Sequence, residues 1–142
     1  MLKVRIVYEK KGFLSYIGHR DWINFIQRAI RRAGLPFSIT KGFTPRIKIN
    51  FSPALPLGVE SECEYFDIEL NEWVPKEEIV KRLKAEVYEE MKIKRIIFLP
   101  EGKFPDPKGC IYRDRYGNRI IQIFGKDKLE KKDGLVRIEF IW

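Results

Sequence analysis

The chain of 142 residues has few of the side chains that metal and redox sites require. It contains two cysteines, Cys63 and Cys110, and one histidine, His19. Because the cysteines are far apart in the sequence, they predict neither a disulfide framework nor a Cys-x-x-Cys unit. The set of three closely spaced thiolates that holds an iron–sulfur cluster is missing, and a zinc site would have to be assembled from carboxylates. We therefore expect no metal and no cofactor.

Long hydrophobic runs are also missing. No stretch approaches the roughly eighteen consecutive apolar residues of a transmembrane helix, and the N-terminal stretch Met1–Tyr8 lacks the apolar segment of a signal peptide. We expect a soluble, cytoplasmic protein that does not enter membranes. Many Lys and Glu residues beside few Gln, Met and Asn match the composition of thermophile proteins.

Positive charge is the clearest excess in the composition. Lys and Arg number 28 against 20 Asp and Glu, which gives a net charge of +8 and an isoelectric point near 9.5. The excess is regional, because residues 1–59 hold 11 basic and 2 acidic side chains whereas residues 60–101 hold 7 and 12. A basic segment of this kind favours an anionic partner such as nucleic acid, anionic lipid or an acidic protein.

The hydrophobic pattern predicts an α+β fold. Residues 2–9 alternate as a strand does, and apolar residues recur at helical spacing from Asp21 to Ala33, with Gly34 as a stop signal. A second amphipathic stripe runs from Pro75 to Met91. Further strands are predicted at Phe37–Thr40, Ile47–Phe51, Glu62–Leu70 and Ile93–Leu99. When the short pairing around residues 37–51 counts as one element, the order is β-α-β-β-α-β, as in ferredoxin-like folds.

The last third of the chain predicts a small β appendage. Pro100–Lys108 is rich in Pro and Gly and marks a linker. Residues 111–115 and 120–124 flank a turn signal and predict a hairpin, and residues 135–142 predict one more strand. We therefore expect a ferredoxin-like core over residues 1–100, followed by a linker and a C-terminal β appendage over residues 101–142.

Four stretches of the first half carry an ordered set of motifs: Tyr16–Trp22 (YIGHRDW), Arg28–Pro36 (RAIRRAGLP), Lys41–Ile49 (KGFTPRIKI) and Pro56–Glu62 (PLGVESE). Together they resemble the radical-SAM-linked domain of unknown function family. The family's Phe-Ile-Ser-His-Leu-Asp pattern is met at His19 and Asp21, with Gly18 and Arg20 replacing Ser and Leu. Its Gly-Phe-Asn-Pro loop has Thr44 in place of Asn.

Members of that family are fused to, or encoded beside, cobalamin-type radical SAM proteins. The resemblance covers about residues 1–100 and implies such a protein as a partner. The radical enzyme itself needs cluster-binding cysteines, which this chain lacks.

A candidate nucleic-acid surface combines the first predicted helix with the loop and strand that follow it. Cationic and amide side chains suit phosphate contacts, and an aromatic ring suits base stacking. A short connection is expected to keep the end of the helix close to the loop. The alternative is a Gly/Pro turn with solvated charges. The candidates are Arg28, Arg31, Arg32, Lys41, Phe43, Arg46, Lys48 and Asn50.

Three other polar groups each allow two interpretations. His19, at the start of the first helix, would act as a general acid or base, or would only bond to the nearby loop. The carboxylates of residues 60–69 would hold a metal or act in catalysis, but their strand spacing favours one solvated face: Glu60, Glu62, Glu64, Asp67 and Glu69. Basic residues of the tail would extend a nucleic-acid surface or only keep a hairpin soluble: Arg113, Arg115, Arg119, Lys126, Lys128, Lys131 and Lys132.

Three functional hypotheses follow. The first is a non-catalytic RNA-binding accessory that presents tRNA or rRNA to a cobalamin-type radical SAM protein. The second is a protein-interaction module that docks on that partner without RNA. The third is a metal-independent endoribonuclease that uses His19, like the CRISPR repeat-processing enzymes, although their C-terminal glycine-rich loop is missing here.

Overall fold

A computed structural model describes residues 2–100, 106–130 and 134–142. This part of the chain contains two α-helices and a seven-stranded mixed sheet, which confirms the predicted α+β class. A 3₁₀ turn, Gly12–Tyr16, joins the first strand to the first helix. The elements are β1 (Leu2–Lys10), α1 (His19–Ala33), β2 (Ile49–Phe51), β3 (Glu60–Leu70), α2 (Lys76–Lys84), β4 (Ile93–Leu99), β5 (Gly109–Arg113), β6 (Arg119–Ile123) and β7 (Val136–Ile141).

The sheet is larger than the four strands predicted for a ferredoxin-like core. Its order is β4-β1-β3-β7-β5-β6, with β2 also paired to β3. The long strand β3 makes this possible because it has two partners along one edge. Its residues 66–68 pair with antiparallel β2, whereas Glu60 and Ser61 pair with parallel β7. The predicted hairpin is confirmed as β5 and β6, and the C-terminal strands continue the same sheet.

The two faces of β1 and β3 bury different apolar clusters. On the helical face, Ile6 and Phe66 pack with Trp22, Ile26 and other residues of α1 and α2. On the opposite face, the side chains that alternate with these form a second apolar cluster with β5 and β7. Val7 and Tyr65 belong to it from β1 and β3, and Tyr112 and Phe140 belong to it from β5 and β7. The N-terminal half of β3 is therefore covered on both faces, while its C-terminal half leaves the face opposite the helices open.

Several predicted boundaries differ from the structure. Helix α1 begins at His19, two residues before Asp21, because the extended backbone of Gly18 forms its N-cap. It ends as predicted, since Gly34 adopts the left-handed conformation with φ of 68°. Helix α2 ends at Lys84 rather than continuing to Met91. The predicted strand Phe37–Thr40 forms only isolated bridges to neighbouring backbone.

Parts of the prediction lie outside the described residues. They are residues 101–105 of the expected linker, and Lys131 and Lys132 of the basic tail. Within the described ranges, neither helix has the length and apolar character needed to cross a membrane.

Candidate nucleic-acid interface

The predicted loop lies at the tip of a narrow two-stranded ribbon formed by residues 38–48. Backbone hydrogen bonds hold its base, where Lys48 N donates to Ser38 O at 2.9 Å and Thr40 N donates to Arg46 O at 2.7 Å. At the tip, Gly42 has φ of 140°, which favours glycine. Phe43 beside it is fully solvent-exposed. The ribbon is thus anchored at its base and presents its loop to solvent.

An open groove of about 370 Å³ lies between the ribbon and the exposed face of the sheet. Three of the predicted residues, Arg46, Lys48 and Asn50, line it, and Lys3 of β1 joins them. Two acids also line it, but both have cationic partners. Asp67 accepts two hydrogen bonds from Arg5, and Lys48 lies 3.5 Å from Glu69. We call this the sheet groove; three cations and two acids line it.

The helical arginines lie elsewhere. Arg28 and Arg32 are one turn apart on α1 and line a separate groove of about 540 Å³ with Phe25, Glu86 and Tyr88. In this helix groove, the rings of Phe25 and Tyr88 stack with centroids 5.0 Å apart. The remaining predicted arginine, Arg31, packs its guanidinium over Phe37 at 5.4 Å, next to the ribbon. The structure therefore places seven of the eight predicted residues in two grooves and the exposed loop, and the eighth, Arg31, against Phe37.

His19 lies over a small polar pocket of about 10 Å³. The buried Lys10 in this pocket donates to Ile17 O at 2.9 Å, and Trp22 Nε1 donates to the hydroxyl of Tyr8 at 2.7 Å. The His19 ring meets Phe51 edge-on at 6.3 Å. Partial burial and the charge of Lys10 lower the pKa of His19, and the charge of Arg137 adds to this while that of Glu64 opposes it.

This environment predicts the titration of His19. Its NMR midpoint is expected below the ordinary value of about 6.5, because Lys10 and partial burial disfavour the imidazolium. The folded state therefore holds this proton less tightly than the unfolded chain. The resulting contribution to stability is present above the unfolded pKa and is lost as the pH falls toward the folded pKa. Lys10→Met should raise the midpoint, whereas a midpoint at or above the ordinary value would contradict this environment.

The most buried charges belong to a pair that the sequence did not reveal. Glu64 was expected on a solvated face, but it is 4% exposed and accepts hydrogen bonds from Ser61 Oγ at 2.6 Å and Ser52 Oγ at 3.2 Å. Arg137 of β7, 1% exposed, reaches both Glu64 oxygens at 3.4 Å. Burial opposes the charge of Arg137, but Glu64 and Tyr112 outweigh that effect and raise its pKa.

Arg137 also connects separate parts of the chain. Its Nη1 donates to Pro53 O at 2.8 Å, and its Nη2 donates to Ala54 O and to the Tyr112 hydroxyl. Burial and the nearby Glu64 raise the pKa of the Cys63 thiol to about 12, so this cysteine stays protonated. A charged arginine and a protonated thiol are typical of a structural cluster, and we assign this role to it.

Four of the predicted tail cations form ion pairs or face solvent. Arg113 lies 3.4 Å from Glu62, which also pairs with Lys11, and Arg119 lies 2.8 Å from Glu139. Lys126 and Lys128 are exposed. Among the described residues, no three His, Cys, Asp or Glu side chains come together in a way that could hold a metal ion.

Comparison with known proteins identifies a family. Residues 3–128 match the DUF2344 family, whose description is an uncharacterised protein conserved in bacteria. The match extends past residue 100 and includes β5 and β6. No curated protein matches the sequence. Since the match spans most of the chain, the protein belongs to the DUF2344 family of uncharacterised bacterial proteins.

Proposed function

We propose that this protein is a non-catalytic RNA-binding accessory whose sheet groove contacts the phosphate backbone. The supporting observation is the convergence of Lys3, Arg46 and Lys48 on one open groove of about 370 Å³. These cations come from β1 and the ribbon, so the fold rather than a local charge run brings them together. Within the described residues, Lys3 and Arg46 have no acidic partner within ion-pair distance. Unpaired cations are available to displace counterions from phosphates.

The loop at the tip of the ribbon supports the same proposal. Phe43 is fully exposed, so its ring adds nothing to the apolar core and is available to a partner. Stacking of one base on an aromatic ring contributes about 1–3 kcal/mol. Lys41, also exposed, lies close enough in sequence to contact the adjoining phosphate.

Binding to a short, unstructured RNA tests this function. We expect affinity measured by fluorescence anisotropy to fall steeply between about 50 and 200 mM salt. The double variant Arg46→Ala/Lys48→Ala should weaken binding about tenfold or more and flatten the plot of log affinity against log salt, by about 0.7 for each phosphate that is no longer neutralised. The matched control is Lys81→Ala/Lys84→Ala, which removes two cations from α2. Equal losses in both variants, or no salt dependence, would contradict a specific groove.

The same samples test the non-catalytic part of the proposal. RNA recovered after incubation should be intact on a denaturing gel. Cleavage that disappears in His19→Ala would instead support the endoribonuclease hypothesis.

A second candidate function, docking on a protein partner, is favoured by the helix groove. Arginine and aromatic residues are enriched at the centres of protein interfaces, and Arg28, Arg32 and Tyr88 lie together at this groove. Phe13 extends the aromatic surface, with its ring edge-on to Tyr88 at 5.4 Å. If docking is the function, Arg28→Glu/Arg32→Glu should abolish capture of the partner and leave RNA affinity little changed.

The association with a radical SAM protein belongs to this proposal. The motif resemblance supports a cobalamin-type radical SAM protein as the partner. The choice of tRNA or rRNA as the RNA presented to it rests on the basic charge and on analogy with other proteins of this fold. A ferredoxin-like core over residues 1–100 is supported by the order β4-β1-β3-β2, in which all neighbouring strands are antiparallel. Co-purification from the native host, followed by sequencing of the bound RNA and mass spectrometry of the bound protein, tests both partners.

A further inference from the structure

The open sheet face carries a second groove beside the sheet groove. This apolar groove, of about 400 Å³, is lined by Val7, Ile97, Phe140 and Trp142 among others. Leu99 lines both grooves. The Arg5–Asp67 pair also joins them, because Arg5 lines the apolar groove and Asp67 lines the sheet groove, with hydrogen bonds of 2.8 and 2.9 Å between them. The two grooves are therefore neighbours on this face, with the Arg5–Asp67 pair between them.

The lining of the apolar groove is complementary to a flat aromatic ligand that carries negative charge nearby. The Arg5 guanidinium lies 4.0 Å from the centre of the Tyr65 ring and 4.9 Å from that of Trp142. Arg5 and Tyr65 are each 6% exposed, so Trp142 is the member of this stack that reaches solvent. Trp142 remains 45% exposed. Arg95 on β4 adds a cation to the lining and has no acidic partner within ion-pair distance among the described residues.

We infer that the protein binds single-stranded nucleic acid, with an unpaired base in the apolar groove against Trp142 and the adjoining phosphates in the sheet groove. This inference rests on the proposed function and specifies its ligand. Base faces stack on aromatic rings and guanidinium planes only when the bases are unpaired and splayed out. A duplex hides those faces and would leave the apolar groove unfilled. The charge of Lys3, Arg46 and Lys48 favours this ligand over an apolar protein segment, which would leave Lys3 and Arg46 without an acidic partner.

The test uses the intact protein and three RNA ligands: a single strand, the same strand in a blunt duplex, and the same strand with abasic sites. We expect the single strand to bind at least about tenfold more tightly than either of the other two ligands. We also expect it to quench tryptophan fluorescence. The abasic strand keeps every phosphate, so its weaker binding would isolate the contribution of the bases.

Variants at two tryptophans locate the base. Trp142→Ala should lose about tenfold in affinity for the single strand, Trp142→Phe should retain most of it, and neither should change affinity for the abasic strand. Trp73→Ala is the matched control, since Trp73 is 64% exposed and precedes α2, away from both grooves. If Trp142→Ala fails to fold, the wild-type affinities for the three ligands decide, together with Arg95→Glu. This variant should weaken binding of the single strand.

The outcomes that would count against the inference are distinct. Equal binding of all three ligands, still reduced by Arg46→Ala/Lys48→Ala, would overturn the single-strand inference and leave the proposed function standing. Absence of binding to every RNA would overturn both. If a protein partner but not RNA changes the tryptophan fluorescence of Trp142, the apolar groove belongs to a protein interface, and the inference is overturned.

Discussion

Replacing Arg137 by methionine is expected to lower the free energy of unfolding by about 3–5 kcal/mol. The Arg137 and Glu64 side chains are 1% and 5% exposed, so removing the guanidinium leaves a buried carboxylate without its counter-charge. The change also removes the donors to Pro53 O, Ala54 O and the Tyr112 hydroxyl. Since a domain is stable by only about 5–15 kcal/mol, this variant should be marginally folded. Urea unfolding followed by circular dichroism measures the loss.

A second ion pair of the same type provides the control. Arg119 lies 2.8 Å from Glu139, closer than Arg137 lies to Glu64, but both of its side chains are more than half exposed. Arg119→Met should therefore cost less than about 1 kcal/mol. Adding Glu64→Gln to Arg137→Met should recover part of the loss, because it removes the uncompensated charge. Similar losses for Arg119→Met and Arg137→Met would show that burial does not decide the strength of the pair.

The sequence predicted elements well where one face of an element is polar. The stripe through Trp22, Ile26 and Ile30 defines α1, and Gly34 ends it. The N-terminal half of β3 is harder to predict from sequence. Both of its faces are buried, so the alternation of apolar and polar residues no longer separates core from solvent. Glu64 lies in that half, inside a run of acids that are mostly more exposed. Its partner Arg137 lies 73 positions away, so no local pattern could have paired them.

The candidate site was predictable only in its local part. Arg46, Lys48 and Asn50 alternate along the second ribbon strand and its continuation into β2, and that spacing places them in one groove. Lys3 was missed as a site residue, because its place in the groove depends on the pairing of β1 with β3 and of β3 with β2. Arg28 and Arg32 are separated from the loop because of the orientation of α1 about its own axis, which is set by burial of its apolar stripe. Long-range pairing and packing are not encoded in any short window.

A fragment that ends at residue 100 is expected to lose cooperative folding. It keeps β1–β4 and both helices, but it lacks the strands that cover the second apolar cluster. Val7, Val59 and Tyr65, which are at most 8% exposed in the full chain, would face water, and Glu64 would lose Arg137. The loss of the counter-charge alone costs about 3–5 kcal/mol, a large part of the stability of a typical domain.

Thermal unfolding and the dispersion of amide NMR resonances measure this result. The matched control is the same fragment with Glu64→Gln, which removes the unpaired charge and leaves the apolar surface uncovered. We expect this control to be more stable than the plain fragment but well below the full chain, because charge and apolar exposure contribute separately. A fragment that melts cooperatively near the temperature of the full chain would instead establish residues 1–100 as an independent domain. The buried pair of Glu64 and Arg137 would then be dispensable for the part of the chain that carries the sheet groove.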